Sequence, residues 1–281
     1  MSNPSNDCHT VTPVALLSLP PFPAIALRVL ELLDRDSVGV KELTDLIRAD
    51  LAFSTGLLVM ANSVLFAFRS EIKSVQQAAA LLGLQRVKAL ALTVGIKVYL
   101  LDAVNIPSVR GCWRHSAACA LVAEELAKVT RMEREMPYMA GMVHDIGRLA
   151  LAVLNPKQYA DLIEAAEENP FDVLQREREV FGMDHCEAGA KLVEAWKLPK
   201  DFREITGRHH TELEPGPLDK VGLVRWSCLM ADTLGFAAVR PHRDYSYQEL
   251  MQYLPERDRR RFHPDPEQLG LKIAMKINSL E

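Results

Sequence analysis

Leucine, alanine and valine recur along almost the whole chain at intervals of three and four residues. This spacing places apolar side chains on one face of an α-helix, which completes a turn every 3.6 residues. Alternating polar and apolar runs joined by Asn-Gly or Asp-Gly, which are typical of β-hairpins, do not occur in the sequence. The pattern predicts an all-α protein.

The first half of the chain contains five predicted helices. One opens near Pro23 in "LPPFPAIALRVLELLDRD", and the next two lie in "VKELTDLIRAD" and "AFSTGLLVMANS". The fourth, "SVQQAAALLG", begins with a capping-box pattern formed by Ser74 and Gln77, and Gly83 suits a left-handed residue after its end. The fifth runs from about Leu84 to Leu101. The pair around Gly83 also suggests a helix-turn-helix, but two core helices are favoured because no basic face follows.

A break in the pattern divides the chain. The segment "DAVNIPSVRGC" contains a proline and a glycine, so residues 102–112 are predicted to be a linker. Further helices are predicted near 113–130, 135–153, 157–167, 171–181, 184–196, 200–210 and 217–235. The predicted organisation is a flexible tail over 1–14, a helical part over 15–101, the linker, a second helical part over 113–235, and a more polar tail over 236–281 that completes the helical fold.

Composition and charge narrow the class of protein. The 281 residues carry a net charge of −4, and 48% of them are hydrophobic, as in an ordinary globular chain. This charge argues against nucleic acid or an anionic membrane as a partner, and the basic run 257–261 is interpreted as solvated surface because Asp258 dilutes it. Five scattered cysteines without a C-x-x-C pair suit reduced thiols in a core, and no signal peptide or membrane span is recognised. We expect a cytoplasmic protein.

Polar residues interrupt one strongly apolar segment, "GMVHDIGRLAL". Between Met139 and Leu154, only Asp145 and Arg148 carry a full formal charge. Because a buried carboxylate needs a cation, Asp145 is expected to meet either Arg148 at i+3 or a divalent metal, and the adjacent His144 favours the metal. Asp232, in "VRWSCLMADTLG", shares a helical face with apolar residues and is a second candidate. Pairing with Arg225 or a role at a helix end is its alternative.

Five of the eight histidines lie on segments that we interpret as helical or helix-terminal, and histidine is the commonest metal ligand. They are His115, His144, His185, His209 and His210. For a single histidine, a hydrogen-bonded imidazole in the core or on the surface is the simpler explanation, and the clustering is what favours metal binding. His185 also follows a capping pair at a helix start, and His209 with His210 also suits a helix end, where cations favour the dipole.

These residues together resemble the H…HD…D signature of the HD-domain metal-dependent phosphohydrolase superfamily. The signature matches His115, then His144 with Asp145, then Asp232. "HDIG", "FGMDHCEAGAKLVEAWKLP" and "ITGRHH" resemble more narrowly the HDOD family, the HD-related output domain of bacterial signalling proteins. The first half is similar to the helical region that opens HDOD domains, through a Leu-Pro start, an Asn-Ser pair and an Ala-x-x-Leu-Gly turn. The resemblance spans about residues 15–235.

The sequence departs from the pattern of these families at several positions, and two of the departures concern the candidate site. HD domains that degrade cyclic dinucleotides carry a Gly-Tyr-Pro element soon after a His-His pair, whereas His209 and His210 precede "TELEPGPLD". The lysine that often follows HDIG is Arg148 here. This exchange keeps the positive charge but replaces a compact ammonium group by a planar guanidinium. The first departure weakens the case for cyclic-di-GMP hydrolysis.

The resemblance implies an N-terminal helical subdomain packed on an HD-fold subdomain that binds one or two divalent transition metal ions, iron, manganese or zinc. One ion would be held by His115, His144, Asp145 and Asp232. A second would be held by His185, His209 and His210 with Asp145 bridging. Arg148 would steady a phosphate. We expect a regulatory module of bacterial signal transduction that acts through a signalling protein partner or a nucleotide-like ligand; the alternative is an active metal-dependent phosphohydrolase with Asp145 and Arg148 as catalytic residues.

Overall fold

A computed structural model describes residues 16, 19, 21–35, 37–63, 66, 71–100, 103, 105–263 and 265–281. Within these ranges the chain forms helices and no strands, which confirms the predicted all-α class. No helix of the described part is long and apolar enough to cross a membrane. The tail predicted over 1–14, with Cys8 and His9, lies outside the described residues.

The described residues between Pro21 and Leu100 form five helices, as the sequence predicts. They are α1 (Ala24–Leu33), α2 (Val40–Arg48), α3 (Leu51–Ala61), α4 (Val75–Leu82) and α5 (Leu84–Tyr99). The hydroxyl of Ser74 accepts a hydrogen bond from the amide of Gln77 at 3.1 Å, as a capping box requires. The Gln77 side chain instead accepts from the amide of Lys73 at 2.9 Å, so the box is not closed on Ser74. Gly83 has the expected positive φ, but its ψ of 160° lies outside the left-handed helical region.

The long helix α6 (Pro107–Thr130) joins the N-terminal helices to the rest of the molecule. Residues 107–112, which the sequence analysis assigned to the linker, form its first turns. Pro107 lies in the first turn, where the missing amide proton costs no hydrogen bond, so a proline that suggested a break starts a helix instead. Further along α6, the carboxylate of Glu124 forms an ion pair with Arg86 of α5 at 2.6 Å. This pair connects α6 to the N-terminal helices.

Several of the remaining elements pack directly against α6. The elements after α6 are α7 (Glu135–Val143), α8 (Ile146–Leu154), α9 (Pro156–Glu168), α10 (Val173–Phe181), α11 (His185–Ala195), α12 (Asp201–Arg208), α13 (Lys220–Ala231), a π-helical turn (Asp232–Phe236), α14 (Tyr247–Gln252), α15 (Glu256–Arg259) and α16 (Pro266–Asn278). The single helix predicted over 135–153 is two helices, α7 and α8, that meet at His144 and Asp145. Within its described residues the polar C-terminal tail contains three helices, of which α16 packs on α6 and buries Leu269, Ile273 and Ile277.

Candidate metal centre

His144 and Asp145 lie at the junction between α7 and α8, because the helix breaks there. Asp145 has φ −102° and ψ 20°, outside the helical range, and it precedes the first residue of α8. Glycines on both sides allow close packing: a Cβ atom at Gly141 would lie 2.5 Å from the Cα of Ala120, and one at Gly147 would lie 2.0 Å from the carbonyl oxygen of His185. The two glycines therefore let α6 and α11 approach the junction.

Three other helix ends or faces bring the remaining histidines to the junction. His185 is the first residue of α11, where the side chain of Asp184 caps the helix by accepting from the amide of Glu187 at 2.8 Å. His209 follows the end of α12, with His210 beside it. His115 lies within α6. The structure thus brings all five histidines predicted from the sequence to one place, around Asp145, and the helix-start position of His185 does not keep it from the cluster.

All five imidazoles turn an Nε2 atom toward a neighbouring imidazole of this cluster, and four of them share a further feature. Each has its Nδ1 beside an acceptor oxygen: the carbonyl of Phe236 for His115 (3.0 Å), that of Gly141 for His144 (2.7 Å), that of Thr206 for His209 (3.0 Å) and the carboxylate of Glu177 for His185 (2.5 Å). Because a carbonyl or carboxylate oxygen only accepts, each Nδ1 carries a proton, and each ring in its neutral form offers an Nε2 lone pair inward. Metal-binding histidines have this arrangement.

The inward atoms form two adjoining groups around the carboxylate of Asp145. In the first group, His115 Nε2 lies 3.4 Å from His144 Nε2, and these atoms lie 3.7 and 3.8 Å from Asp145 Oδ2. In the second group, His185 Nε2 lies 3.3 Å from His209 Nε2 and 3.0 Å from His210 Nε2. Asp145 Oδ1 lies 3.3 Å from the Nε2 atoms of both His185 and His209. The carboxylate therefore lies between the two groups.

Asp232 takes a different position from the other candidates. Its Oδ1 atom lies 3.2 Å from Nδ1 of His115, the nitrogen that faces away from the inward Nε2 atoms. Asp232 thus contacts the outer nitrogen of the predicted ligand His115. Its assignment as a metal ligand stays a prediction.

A buried oxygen without a donor shows that the cluster suits a cation. Asp145 is fully buried, and its Oδ1 accepts no hydrogen bond from any residue within the described ranges. Its nearest polar neighbours are two imidazole nitrogens that act as acceptors when neutral, so a proton or a metal ion is needed to stabilise the arrangement. Imidazole and carboxylate ligands of this kind suit divalent transition metals.

Comparison with known proteins identifies the family. The HDOD domain matches residues 19–212, more than half of the chain. This chain belongs to the HDOD family. A curated protein of Treponema pallidum without an assigned function is 23% identical over 194 residues, which cover 68% of this chain and 37% of that protein, so the HDOD chain described here spans little more than a third of its length.

Solved structures agree with this HDOD assignment. An HDOD domain protein of unknown function from Geobacter sulfurreducens is 25% identical, with a TM-score of 0.70 and coverage of 93% of this chain and 91% of that one. A Shewanella amazonensis protein with the provisional name phosphohydrolase is 20% identical, also with a TM-score of 0.70, and covers 98% of this chain and 100% of its own. At that identity the second similarity establishes the fold alone.

Arg148 lies inside the HDOD site rather than at its edge. Its Nε donates a hydrogen bond to Asp145 Oδ2 at 2.7 Å, and its Nη2 lies 3.2 Å from Nε2 of His185. The side chain is almost fully buried. The pairing of Asp145 with Arg148, which the sequence analysis kept as the alternative to a metal, is therefore present together with the cluster of inward-facing histidines.

Burial and mutual interactions shift the pKa values of the site. Burial alone would raise the pKa of Asp145, but the positive charges of Arg148 and the histidines hold it well below its usual range. Burial lowers the pKa of His144. For His209, the negative charges of Cys186 and Asp145 outweigh burial and raise the pKa to about 9. A metal ion that binds at these nitrogens would therefore have to displace protons.

Sequence reasoning missed two kinds of residue. Glu177, on α10, is fully buried; its Oε2 accepts from both the amide and Nδ1 of His185, and its Oε1 accepts from the Tyr159 hydroxyl at 2.6 Å. The sequence does contain a signal for Glu177, because this acidic residue shares one helical face with the apolar Val173 and Phe181. An acidic residue among apolar ones is the same signal that identified Asp145. The second kind is the cysteines, which the sequence suggested were core residues, whereas the sulfur of Cys228 lies beside His115.

A cavity of about 420 Å³ adjoins the site. Its wall includes His115, His210 and Asp232 on the side of the cluster, and Arg225, Arg240 and Arg243 elsewhere. Arg225 has no hydrogen bond or ion pair with any other residue within the described ranges, and its Nε is buried. Small ligands can therefore reach the cluster from one side.

Proposed function

We propose that this chain is a regulatory HDOD module of bacterial signal transduction, with one divalent metal ion held by His115, His144 and Asp145. A small phosphorylated, nucleotide-like ligand binds in the adjoining cavity. The N-terminal helices α1–α5 provide the surface for a signalling protein partner. The name of a Marinobacter aquaeolei protein, which is provisionally called a signal transduction protein and is 18% identical with a TM-score of 0.69, agrees with this role, although this chain covers only 60% of it.

The observation that carries the proposal is the position of Arg148. A two-metal hydrolytic centre needs a carboxylate that bridges both ions and free imidazole nitrogens for the second ion. Arg148 instead donates to Asp145 Oδ2 and contacts Nε2 of His185, at 2.7 and 3.2 Å. Its guanidinium thus supplies positive charge beside the second group of histidines. Unlike a metal ion, a guanidinium has no coordination position for water, so we infer a single ion and favour binding over hydrolysis.

The charge of the cavity supports a phosphorylated ligand. Arg225, Arg240 and Arg243 line it, together with the acidic side chains of Asp172 and Glu212. Arg240 donates to a backbone carbonyl and Arg243 lies over the ring of Tyr245, so neither is neutralised by a carboxylate within the described ranges. Arg240 and Arg243 are exposed, whereas the Nε of Arg225 is buried without a partner in the described chain. A guanidinium without a carboxylate partner binds phosphate oxygens well, because it presents several donors in a planar fork.

A divalent ion at His115, His144 and Asp145 would attract a phosphate oxygen and lower the pKa of a bound water toward about 7. The chain's own residues orient the site: Phe236 and Gly141 accept from the outer nitrogens of the two histidines and hold their rings in place. Arg148 and Arg225 border the same cavity and would bind the ligand's negative charge.

The alternative function is a metal-dependent phosphohydrolase acting on a nucleotide-like phosphoester. One observation favours it: the cavity wall includes His115, His210 and Asp232, so solvent and substrate reach the metal-binding nitrogens. An open coordination position is a property of catalytic metal sites. In this case Asp145 would be a catalytic metal ligand and Arg148 would steady the phosphate.

One experiment tests the proposal against this alternative. Protein expressed with added iron, manganese or zinc is analysed for its metal content and then incubated with a panel of phosphodiester and phosphomonoester nucleotides. We expect about one ion per chain and no turnover. Asp145→Ala should lose the metal and some stability together, because it removes a ligand and leaves unpaired groups. Asp161→Ala, at an exposed aspartate on α9, is the matched control and should retain the metal.

The outcomes separate the two functions. Turnover of any phosphoester by the metal-loaded protein that disappears in Asp145→Ala would establish the phosphohydrolase and contradict the regulatory role. Absence of metal after supplemented expression would contradict the metal centre itself. Unchanged metal content in Asp145→Ala would show that Asp145 serves only as the partner of Arg148.

A further inference from the structure

A cysteine lies beside the first group of inward-facing nitrogens. Cys228 is on α13, one helical turn before Asp232, and only 4% of its surface is exposed. Its Sγ atom lies 3.5 Å from Nε2 of His115. The donor atoms of Cys228, His115 and His144 all lie within 4.8 Å of one another. The sulfur therefore faces the same point as the two imidazole lone pairs.

The spacing of these atoms matches the ligands of one tetrahedral ion. With metal–nitrogen bonds of about 2.0–2.1 Å and metal–sulfur bonds of about 2.3 Å, ligand atoms around such an ion are roughly 3.3–3.7 Å apart. The separation of the two Nε2 atoms is 3.4 Å, that of sulfur and His115 Nε2 is 3.5 Å, and Asp145 Oδ2 lies 3.7 and 3.8 Å from the two nitrogens. The two imidazole nitrogens and the sulfur thus lie at nearly the required distances, and Asp145 Oδ2 lies close to both nitrogens.

Asp232 occupies a position that suits support of a ligand. Its carboxylate lies 3.2 Å from Nδ1 of His115, on the side of the ring opposite to Nε2 and the cysteine sulfur. A carboxylate in this position orients a metal-binding imidazole and increases its basicity. The side chain one turn earlier, Cys228, is the one that faces the inward Nε2 atom.

The second cysteine near the cluster has a different orientation. Cys186 Sγ lies 3.9 Å from Nδ1 of His209, the nitrogen that donates to the carbonyl of Thr206. It therefore approaches the outer nitrogen of that ring, and it belongs to a donor group with His185, His209 and His210, not with His115 and His144. This contrast identifies Cys228 as the sulfur positioned for the ion held by His115 and His144.

We propose that Cys228 is a thiolate ligand of the metal ion, together with His115, His144 and Asp145, and that Asp232 is a positioning residue for His115. The inference rests on the metal centre of the proposed function. On binding, the sulfur–metal bond forms and the thiol proton passes to solvent. A thiolate beside two imidazoles favours zinc or ferrous iron over manganese, which prefers oxygen ligands.

Cobalt(II) provides a direct test, because a cysteine thiolate bound to it gives a sulfur-to-metal charge-transfer band in the near ultraviolet. The metal-free 281-residue chain is titrated with cobalt(II) chloride alone. We expect this band in the wild type and its complete loss in Cys228→Ala. Cys119→Ala is the matched control, since this buried thiol lies on α6 against the carbonyl of Val224 and is outside the donor groups. Asp232→Asn should keep the band while cobalt affinity falls about 10- to 100-fold.

Two further results would overturn the assignment. Cobalt binding without the band would exclude Cys228 and leave the proposed metal centre intact. Loss of the band in Cys186→Ala but not in Cys228→Ala would exclude Cys228 and would also contradict an ion at His115, His144 and Asp145, because Cys186 shares its donor group with His185, His209 and His210. Failure to bind cobalt at all would exclude both. Should Cys228→Ala not fold, X-ray absorption of the zinc-loaded wild type decides the question: one sulfur neighbour at about 2.3 Å is expected, and a shell of nitrogen and oxygen only would contradict the proposal.

Discussion

We expect Gly147→Ala to weaken both the fold and the metal centre, because this glycine sits where two helices approach most closely. A Cβ atom there would lie 2.0 Å from the carbonyl oxygen of His185 and 2.4 Å from the amide nitrogen of Gly189. Both atoms belong to the backbone of α11, so no side-chain rotation removes the overlap. To reach even 3.0 Å, the shortest separation that real Cβ atoms tolerate, α8 and α11 must move apart by roughly 1 Å.

The size of the effect follows from two opposing contributions. Overpacking a core costs about 1–3 kcal/mol, whereas replacing a glycine within a helix by alanine gains about 1 kcal/mol. The steric cost is the larger here because it falls on backbone atoms, so a net loss of about 1–2 kcal/mol in the free energy of unfolding is expected. The displaced carbonyl belongs to His185, whose Nε2 lies 3.3 Å from Asp145, so metal affinity should fall as well.

Urea unfolding followed by circular dichroism, with and without metal, measures both effects. Gly111→Ala is the control, because its Cβ would meet nothing within 4 Å although it also lies in a helix. The control should be as stable as the wild type or more stable. A free energy of unfolding for Gly147→Ala within about 0.5 kcal/mol of the wild type, together with unchanged metal affinity, would refute the reasoning.

Two further predictions concern the packing of the C-terminal and N-terminal helices. Burial would raise the pKa of Glu125, but Lys128, Lys272 and His263 lower it well below its ordinary value of 4.5, so its stabilisation is complete above pH 4.5 and is lost as the pH falls through the folded-state pKa. Urea unfolding should therefore show Glu125→Gln to be less stable than the wild type by about 2 kcal/mol at pH 7, a difference that shrinks below pH 4.5; a pH-independent difference would contradict this. Asn62 donates to and accepts from the backbone of Ile72 at 2.8 and 2.7 Å, so Asn62→Ala should cost about 2 kcal/mol in the same measurement. Ser63→Ala, which removes a hydroxyl without a partner in the described chain, should change little, and equal effects of the two changes would contradict the role of Asn62.

Most helices of this protein could be predicted from the sequence, because helix formation is governed by local patterns. Apolar spacing predicted α2 and α3, and apolar spacing with the Ser74 cap predicted α4; the ends of all three lie within a few residues of the prediction. The predicted linker, 102–112, includes the first turns of α6, because a proline such as Pro107 is compatible with either a break or a helix start. Local sequence does not distinguish these two cases.

The division of the predicted helix 135–153 shows a different limit. The apolar pattern continues through His144 and Asp145 without interruption, so periodicity predicts one helix. The structure breaks it there, and Gly147 allows α11 to pack against the start of α8. Contacts with a distant segment accompany the break, and a local pattern does not contain them.

The sequence by itself determined the helical class, the family resemblance and the identity of the clustered histidines, because residue types and their spacing along helices are local properties. Only the tertiary structure decided which atoms meet. It placed Arg148 on both Asp145 and His185, brought Glu177 behind His185, and turned Asp232 toward the outer nitrogen of His115. Cys228 meets His115 across 113 residues of chain. Such contacts depend on how the helices pack. Cys228 and Asp232 are one helical turn apart, and packing decides that the sulfur faces the inward Nε2 of His115 while the carboxylate contacts its outer Nδ1.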